Sequence, residues 1–198
     1  TYGGDPEKYA DELKKQSLVG EYGAWRSLGL HSERPYPVTA AYDESSMTQI
    51  LETKSRLAQS VKDQVVGDFV WLLTTHENPG RPMRVDGTQI FDGIRPLEHI
   101  GPANNKGLMT LWGEPLDAYY MLRARQVSAT QTPIVYIVSH TWPDRWTEPG
   151  VKSGIEVYSN CDQVELFNDV TGKVSLGVKA NDGKPFVWDN ADIRYNAL

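Results

Sequence analysis

The sequence predicts an α/β region followed by an all-β region. Two apolar runs, at residues 17–20 and 67–74, flank a long amphipathic pattern, which is the order of a parallel strand–helix–strand unit. From residue 134 onward the pattern changes to short alternating segments separated by turn residues, which is typical of an antiparallel sandwich. A small polar stretch separates the two patterns, and we place the domain boundary there, at residues 128–129.

Two helices are predicted in the first half of the chain. The first covers residues 6–15, because Asp5 is a good N-cap and Pro6 suits the first helical position. The second covers residues 44–64, where apolar residues recur at helical spacing. That stripe consists of Met47, Ile50, Leu51, Leu57, Ala58 and Val61. We expect the charged residues of this helix, Lys54 among them, to lie mostly off the stripe.

The remaining elements are a loop, a third helix and a set of strands. Residues 81–107 contain scattered Pro and Gly with little periodicity, so we expect a loop. Pro115 opens a helix that we predict to end near Gln126. In the second region, strands are predicted at residues 134–139, 155–159, 164–168, 174–178, 186–189 and 193–195.

Composition excludes several classes of function. Lys and Arg number 20 against 26 Asp and Glu, and no basic run is present, so we expect no nucleic-acid groove. The single cysteine, Cys161, allows neither an intrachain disulfide framework nor a thiolate zinc site. The histidines lack metal-binding spacing, and no apolar stretch approaches the ~20 residues of a membrane span. We therefore expect no cofactor, no metal and no membrane span.

Glu21 is the candidate catalytic residue. It follows directly on the first predicted strand and precedes Tyr22 and Trp25, so a carboxylate lies beside aromatic surface where α/β folds keep their active sites. Sugars stack on such rings, and a pair of carboxylates facing one sugar carbon makes a glycosidase. The alternative is a strand-end Glu that caps a loop. The nearest candidate partners, Glu33 and Glu77, are more typical of solvated loop charges.

Further candidates for substrate contact follow the same strand ends. His31 and His76 lie on the loops next to the two predicted strands. Trp71 is either a core residue or an aromatic floor beneath a sugar. Asn104 and Lys106 belong either to a simple turn or to a clamp for a carboxylate or a set of hydroxyls.

Several segments together resemble glycoside hydrolase family 2, which contains β-galactosidases, β-glucuronidases and β-mannosidases. These segments are residues 17–23, the helix to residue 64, 67–71, 104–120 and 157–167. The resemblance implies that residues 1–128 are the last part of a (β/α)8 TIM barrel. It also implies that residues 129–198 begin an immunoglobulin-like β-sandwich, here incomplete. Glu21 then aligns with the catalytic nucleophile, and Trp71 with a Trp that lines the sugar subsite.

The resemblance also carries departures and an open choice of substrate. The acid/base Glu of the family would lie upstream of Thr1, so we expect a C-terminal fragment that is inactive alone and needs the rest of the polypeptide. Asn104 and Lys106 match the Asn-x-Lys pattern of β-glucuronidases, whereas the longer context resembles β-galactosidases from polysaccharide-degrading bacteria. We therefore expect a retaining exo-β-galactosidase acting on polysaccharide-derived oligosaccharides in the periplasm or outside the cell. A β-glucuronidase, a non-catalytic sugar-binding fragment and a homo-oligomeric assembly stay open.

Overall fold

The computed structural model describes residues 5–24, 26, 43–77, 103–138, 150–168 and 171–193. The described residues form two compact units, the first ending at Tyr119 and the second beginning at Tyr120. The division lies inside the third helix, earlier in the chain than the boundary that we placed at residues 128–129. None of the helices in these ranges is long and apolar enough to cross a membrane.

The first unit contains a parallel strand pair joined by a helix. Its elements are a 3₁₀ turn Pro6–Lys8, α1 Tyr9–Gln16, β1 Leu18–Tyr22, α2 Glu44–Ser60, a 3₁₀ turn Lys62–Gln64, β2 Gly67–Val70, β3 His76–Glu77, β4 Ala103–Asn104 and the start of α3, Asp117–Gln126. Strands β1 and β2 pair in parallel, with Leu18 opposite Gly67 and Tyr22 opposite Val70. Since α2 lies between them in sequence, the predicted strand–helix–strand unit is confirmed.

Side-chain caps begin the 3₁₀ turn before α1 and begin α2, and apolar side chains pack α1 against α2. Asp5 accepts a hydrogen bond from the Glu7 backbone at 3.0 Å, which confirms the predicted cap. Asp43 caps α2 in the same way, accepting from the Ser46 backbone at 2.6 Å. The fully buried side chains that α1 and α2 contribute to the core are Tyr9, Leu13, Met47 and Leu51.

One prediction about α2 is wrong. Lys54 is only 3 % exposed and lies on the buried face of the helix, not off it. Its position was readable from the helical period, because it falls three residues after Leu51 and four after Ile50. Its charge is accommodated because the ammonium donates to the Gly23 carbonyl at 3.4 Å and lies 5.6 Å from the centre of the Tyr9 ring.

The second unit consists mainly of antiparallel strands. These are β5 Val135–Ile137, β6 Gly150–Lys152, β7 Ile155–Ser159, β8 Gln163–Phe167, β9 Ser175–Ala180, β10 Phe186–Trp188 and β11 Ala191–Ile193. β7 pairs with β5 and β10, β8 with β9, and β6 with β11, all antiparallel as predicted. A buried cluster holds them together, formed by Ile155, Val157, Leu166, Phe186, Trp188 and Ala191.

Candidate active site

Glu21 and Trp71 lie on neighbouring segments at one end of the parallel pair. Glu21 is exposed and occupies the penultimate position of β1. Trp71 directly follows β2, and its backbone N–H donates to the Tyr22 carbonyl at 2.7 Å. Trp71 is 40 % exposed. This exposure is high for a core residue and suits a ring that stacks on a ligand. The structure therefore places Trp71 on the segment that neighbours the end of β1, whereas Tyr22, which we expected to offer aromatic surface beside Glu21, is buried at 4 % exposure.

A short antiparallel ladder brings a second segment to the same region. β3 pairs with β4, so that His76 lies opposite Asn104 and Glu77 opposite Ala103. The His76 ring meets Trp71 edge to face, with the ring centroids 6.4 Å apart. The prediction of a continuous loop over residues 81–107 is therefore wrong at its end. Two-residue strands leave no period in the sequence, because their pairing depends on a distant partner.

The turn that carries Lys106 is buried and hydrogen-bonded to both strand ends. Asn105 is 0 % exposed and Lys106 is 4 % exposed. The Arg26 backbone donates to the Asn105 carbonyl at 3.2 Å, which joins this turn to the segment that follows Glu21. Next to the turn, the Leu108 backbone donates to the Leu72 carbonyl at 2.9 Å. Three segments that are far apart in sequence thus meet at Tyr22 and Arg26, just after Glu21.

Some predicted residues cannot be assigned to this region. Trp25, His31 and Glu33 lie outside the described residues. In the ranges that the structure describes, no group of three or more His, Cys, Asp or Glu side chains is arranged so that it could bind a metal ion.

Sequence reasoning missed the polar groups that lie behind β1. The Tyr9 ring packs on Tyr22, with centroids 5.1 Å apart, and its hydroxyl donates to Asp68 at 2.9 Å. Burial raises the pKa of Tyr9 far above its ordinary value, and the Asp68 carboxylate raises it further. Burial, and then Asp68, likewise raises the pKa of Tyr22. Burial also raises the pKa of Asp68, while the hydrogen bond from Tyr9 opposes this shift.

These shifts predict a loss of stability at alkaline pH. An unfolded tyrosine ionises at about pH 10, whereas Tyr9 stays protonated in the folded protein. The stabilising contribution of Tyr9 is therefore complete below about pH 10 and declines as the pH rises above that value. Each such group lowers the free energy of unfolding by about 1.4 kcal/mol per pH unit in that range. We expect Tyr9→Phe to make the decline above about pH 10 shallower by this amount, measured by urea unfolding of the complete protein. An identical decline in the variant would contradict the shift.

Comparisons with known proteins identify sequences that are similar to this chain. Residues 150–197 match a family model described as a domain of unknown function, DUF4982. A Formosa agariphila protein named "Putative beta-glucuronidase" is 31 % identical over 195 residues, which cover 91 % of this chain and 22 % of that protein.

Solved structures agree on the fold. Apo β-glucuronidase 3 of Bacteroides uniformis superposes with a TM-score of 0.70 and 25 % identity, over 96 % of this chain and 24 % of that one. The crystal structure of a "putative beta-galactosidase" from Bacteroides fragilis superposes with a TM-score of 0.61 at 18 % identity, over 97 % of this chain and 27 % of that one. The chain thus spans about a quarter of the proteins that it matches. These findings confirm its resemblance to glycoside hydrolase family 2.

Proposed function

We propose that this chain carries the nucleophile of a retaining exo-glycosidase, and that Glu21 is that nucleophile. The observation that supports the proposal most is that three segments meet at the residues that follow Glu21. Backbone hydrogen bonds join Trp71 to Tyr22 at 2.7 Å and Arg26 to Asn105 at 3.2 Å. An acid, an indole and a lysine-bearing turn are therefore held on adjacent segments, a combination that suits the apolar face and the polar rim of a sugar.

In this mechanism Glu21 attacks the anomeric carbon of the terminal sugar. A C–O bond forms to the Glu21 carboxylate while the bond to the leaving oxygen breaks, and an acid protonates that oxygen. Water then attacks the glycosyl ester, the same acid/base group accepts its proton, and Glu21 is released with the β configuration retained. No Asn-Glu pair occurs among these 198 residues. We propose that another part of the enzyme supplies the acid/base carboxyl group.

We also propose the architecture that the family resemblance implies. β1, α2 and β2 would be consecutive parts of a (β/α)8 barrel, and their parallel pairing supports this assignment. The antiparallel strands of the second unit would belong to an immunoglobulin-like sandwich. In a barrel of this kind the active site lies at the carboxyl ends of the strands, where Glu21 and Trp71 are found.

For the substrate, we propose a terminal β-glucuronide as the first candidate. The β-galactoside that we expected from the sequence context becomes the second. The relative that is 31 % identical is named as a β-glucuronidase. Lys106 also offers a buried cation, which has a clear partner in a uronate carboxylate and none in galactose. The β-galactoside stays the second candidate because one structural neighbour, at 18 % identity, has that name.

Paired hydrolysis assays of the complete protein test this choice. We expect kcat/KM for 4-nitrophenyl β-glucuronide to exceed that for 4-nitrophenyl β-galactoside by at least about 10²-fold, because the Lys106 cation attracts a carboxylate more strongly than a neutral hydroxymethyl group. Retention is checked by following the anomeric configuration of the first-formed product. A preference for the galactoside would overturn the proposed substrate but leave the nucleophile proposal standing. Failure to cleave either glycoside would overturn both.

A further inference from the structure

Strand β1 carries one extra residue next to Glu21. Val19 lies opposite Asp68 and Tyr22 lies opposite Val70, so the register advances by three residues on β1, from 19 to 22, and by two on β2, from 68 to 70. Such an extra residue is a β-bulge, which bends its strand and changes the direction of the neighbouring side chains. The bulge falls at the two residues between Val19 and Tyr22, and Glu21 is the second of them.

Packing gives no reason for the extra residue, Gly20. It is exposed, and a Cβ atom added there would meet no described atom within 4 Å apart from its chain neighbours, so this glycine does not serve a close approach of another segment. Val19 and Tyr22 are buried, and both residues between them are exposed. A strand without Gly20 would still alternate buried, exposed, buried over Val19, Glu21 and Tyr22. The bulge therefore changes the position and direction of Glu21 without serving the core.

Two side chains behind β1 hold the bulge from both sides. The Tyr9 hydroxyl donates to Asp68 at 2.9 Å, and Asp68 lies opposite the last residue before the bulge. The Tyr9 ring also packs on Tyr22, the first residue after the bulge, with centroids 5.1 Å apart. The Lys54 ammonium lies 5.6 Å from the centre of the Tyr9 ring and donates to the Gly23 carbonyl at 3.4 Å. Helices α1 and α2 therefore fix the strand on both sides of the bulge.

The burial of Lys54 is unfavourable and therefore informative. Lys54 is 3 % exposed, and burial lowers the pKa of its ammonium, a shift that the Glu12 carboxylate opposes. An apolar side chain on the buried face of α2 would avoid this desolvation. The ammonium offers what an apolar side chain lacks, a donor for the Gly23 carbonyl. Gly23 is buried and lies two residues after Glu21, so this hydrogen bond fixes the backbone next to the candidate nucleophile.

We propose that the bulge in β1 orients Glu21 towards the substrate, and that Lys54 is a positioning residue that holds the end of this bulge through Gly23. This inference rests on the proposed glycosidase function and adds to it the groups that orient the nucleophile. A carboxylate that attacks a carbon atom must be placed accurately, since a displacement of about 1 Å can reduce the rate about 10²-fold. Lys54 acts through the backbone and not on the sugar.

Lys54→Met in the complete protein tests the anchor. The methionine side chain fills the space of the lysine stem and removes the donor, and replacing a buried charge by an apolar side chain is often neutral for stability. For the better of the two nitrophenyl glycosides, we expect kcat to fall about 10- to 100-fold and KM to stay within about 2-fold. Lys62→Met, at an exposed lysine of the same unit, is the matched control. Unchanged kcat overturns the role of Lys54, as does a lower urea midpoint with unchanged kcat per folded molecule.

Deletion of Gly20 tests the bulge itself. The remaining residues can then pair in regular register, with Glu21 opposite Phe69, while Val19 and Tyr22 keep their partners on β2. We expect kcat to fall at least about 10²-fold with KM within about 3-fold, because the carboxylate is displaced while the other sugar contacts stay. Near wild-type kcat in the folded deletion variant overturns the role of the bulge. If that variant does not fold, Lys54→Met decides the inference.

The crystal structure of the complete Lys54→Met protein separates this inference from the proposed function. If the unmodified protein hydrolyses neither glycoside, the proposed function fails. The position of the Glu21 carboxylate relative to Trp71, compared with the unmodified protein, then decides the inference. A displacement of about 1 Å or more supports it, because the strand end has lost its anchor. An unmoved carboxylate overturns it.

Discussion

Glu21→Gln in the complete protein is expected to reduce glycoside turnover by at least about 10³-fold. The amide is similar in shape to the carboxylate, but it carries no negative charge and cannot form the glycosyl ester. Because Glu21 is exposed on β1, the substitution creates no cavity, and we expect the urea midpoint to stay unchanged. Steady-state hydrolysis of the nitrophenyl glycoside measures the loss.

A chemical rescue distinguishes a nucleophile from an acid/base residue. In Glu21→Ala, added azide can occupy the space of the missing carboxylate and attack the anomeric carbon from that side. We expect an α-glycosyl azide, identified by its anomeric proton coupling; a β-glycosyl azide would assign Glu21 to the acid/base role instead. Glu114→Gln, at an exposed glutamate of the same unit, is the control. Near wild-type turnover in Glu21→Gln would favour the non-catalytic sugar-binding alternative.

Gly107→Ala is expected to lower the free energy of unfolding by about 3 kcal/mol and to impair glycoside binding. A Cβ atom at this position would overlap the Thr75 backbone nitrogen and approach the Met109 carbonyl oxygen to 2.5 Å. Backbone atoms cannot rotate aside, so the segment after Trp71 must separate from the turn that carries Lys106. The hydrogen bond from the Met109 backbone to the Leu73 carbonyl, 2.8 Å long, would be strained by this movement. Urea unfolding and KM for the glucuronide report the two effects.

Gly113→Ala provides the matched comparison in the same part of the chain. Gly113 has a φ of +82° but no atom within 4 Å of an added Cβ, so only the backbone conformation opposes the substitution. We expect a loss of about 1 kcal/mol and an unchanged KM. Equal effects of the two substitutions would show that crowding at Gly107 does not hold the Lys106 turn in place.

Local patterns were sufficient for the elements that consist of one continuous segment. The cap at Asp5 and the apolar period of α2 depend on neighbours within a few residues, and both were predicted. β7 occupies the predicted residues, because its apolar run is bounded by turn residues. The β3–β4 ladder was missed, since each strand has two residues and is stabilised by a partner far along the chain. The prediction for Lys54 is wrong because its helical phase, three residues after Leu51, places it on the buried face in spite of its charge.

The amino-acid sequence alone predicts the order of the elements, the position of Glu21 at the end of a strand, and the motifs that resemble glycoside hydrolase family 2. Those features are local, or they are preserved as residue types at fixed spacing. The hydrogen bonds that join Trp71 to Tyr22 and Arg26 to Asn105 are seen only in the folded chain. The tertiary structure also shows that Arg26 is buried and that its Nε and Nη2 atoms have no hydrogen-bond partner among the described residues. Burial and hydrogen-bond satisfaction depend on distant segments packing together, so no local pattern in the sequence encodes them.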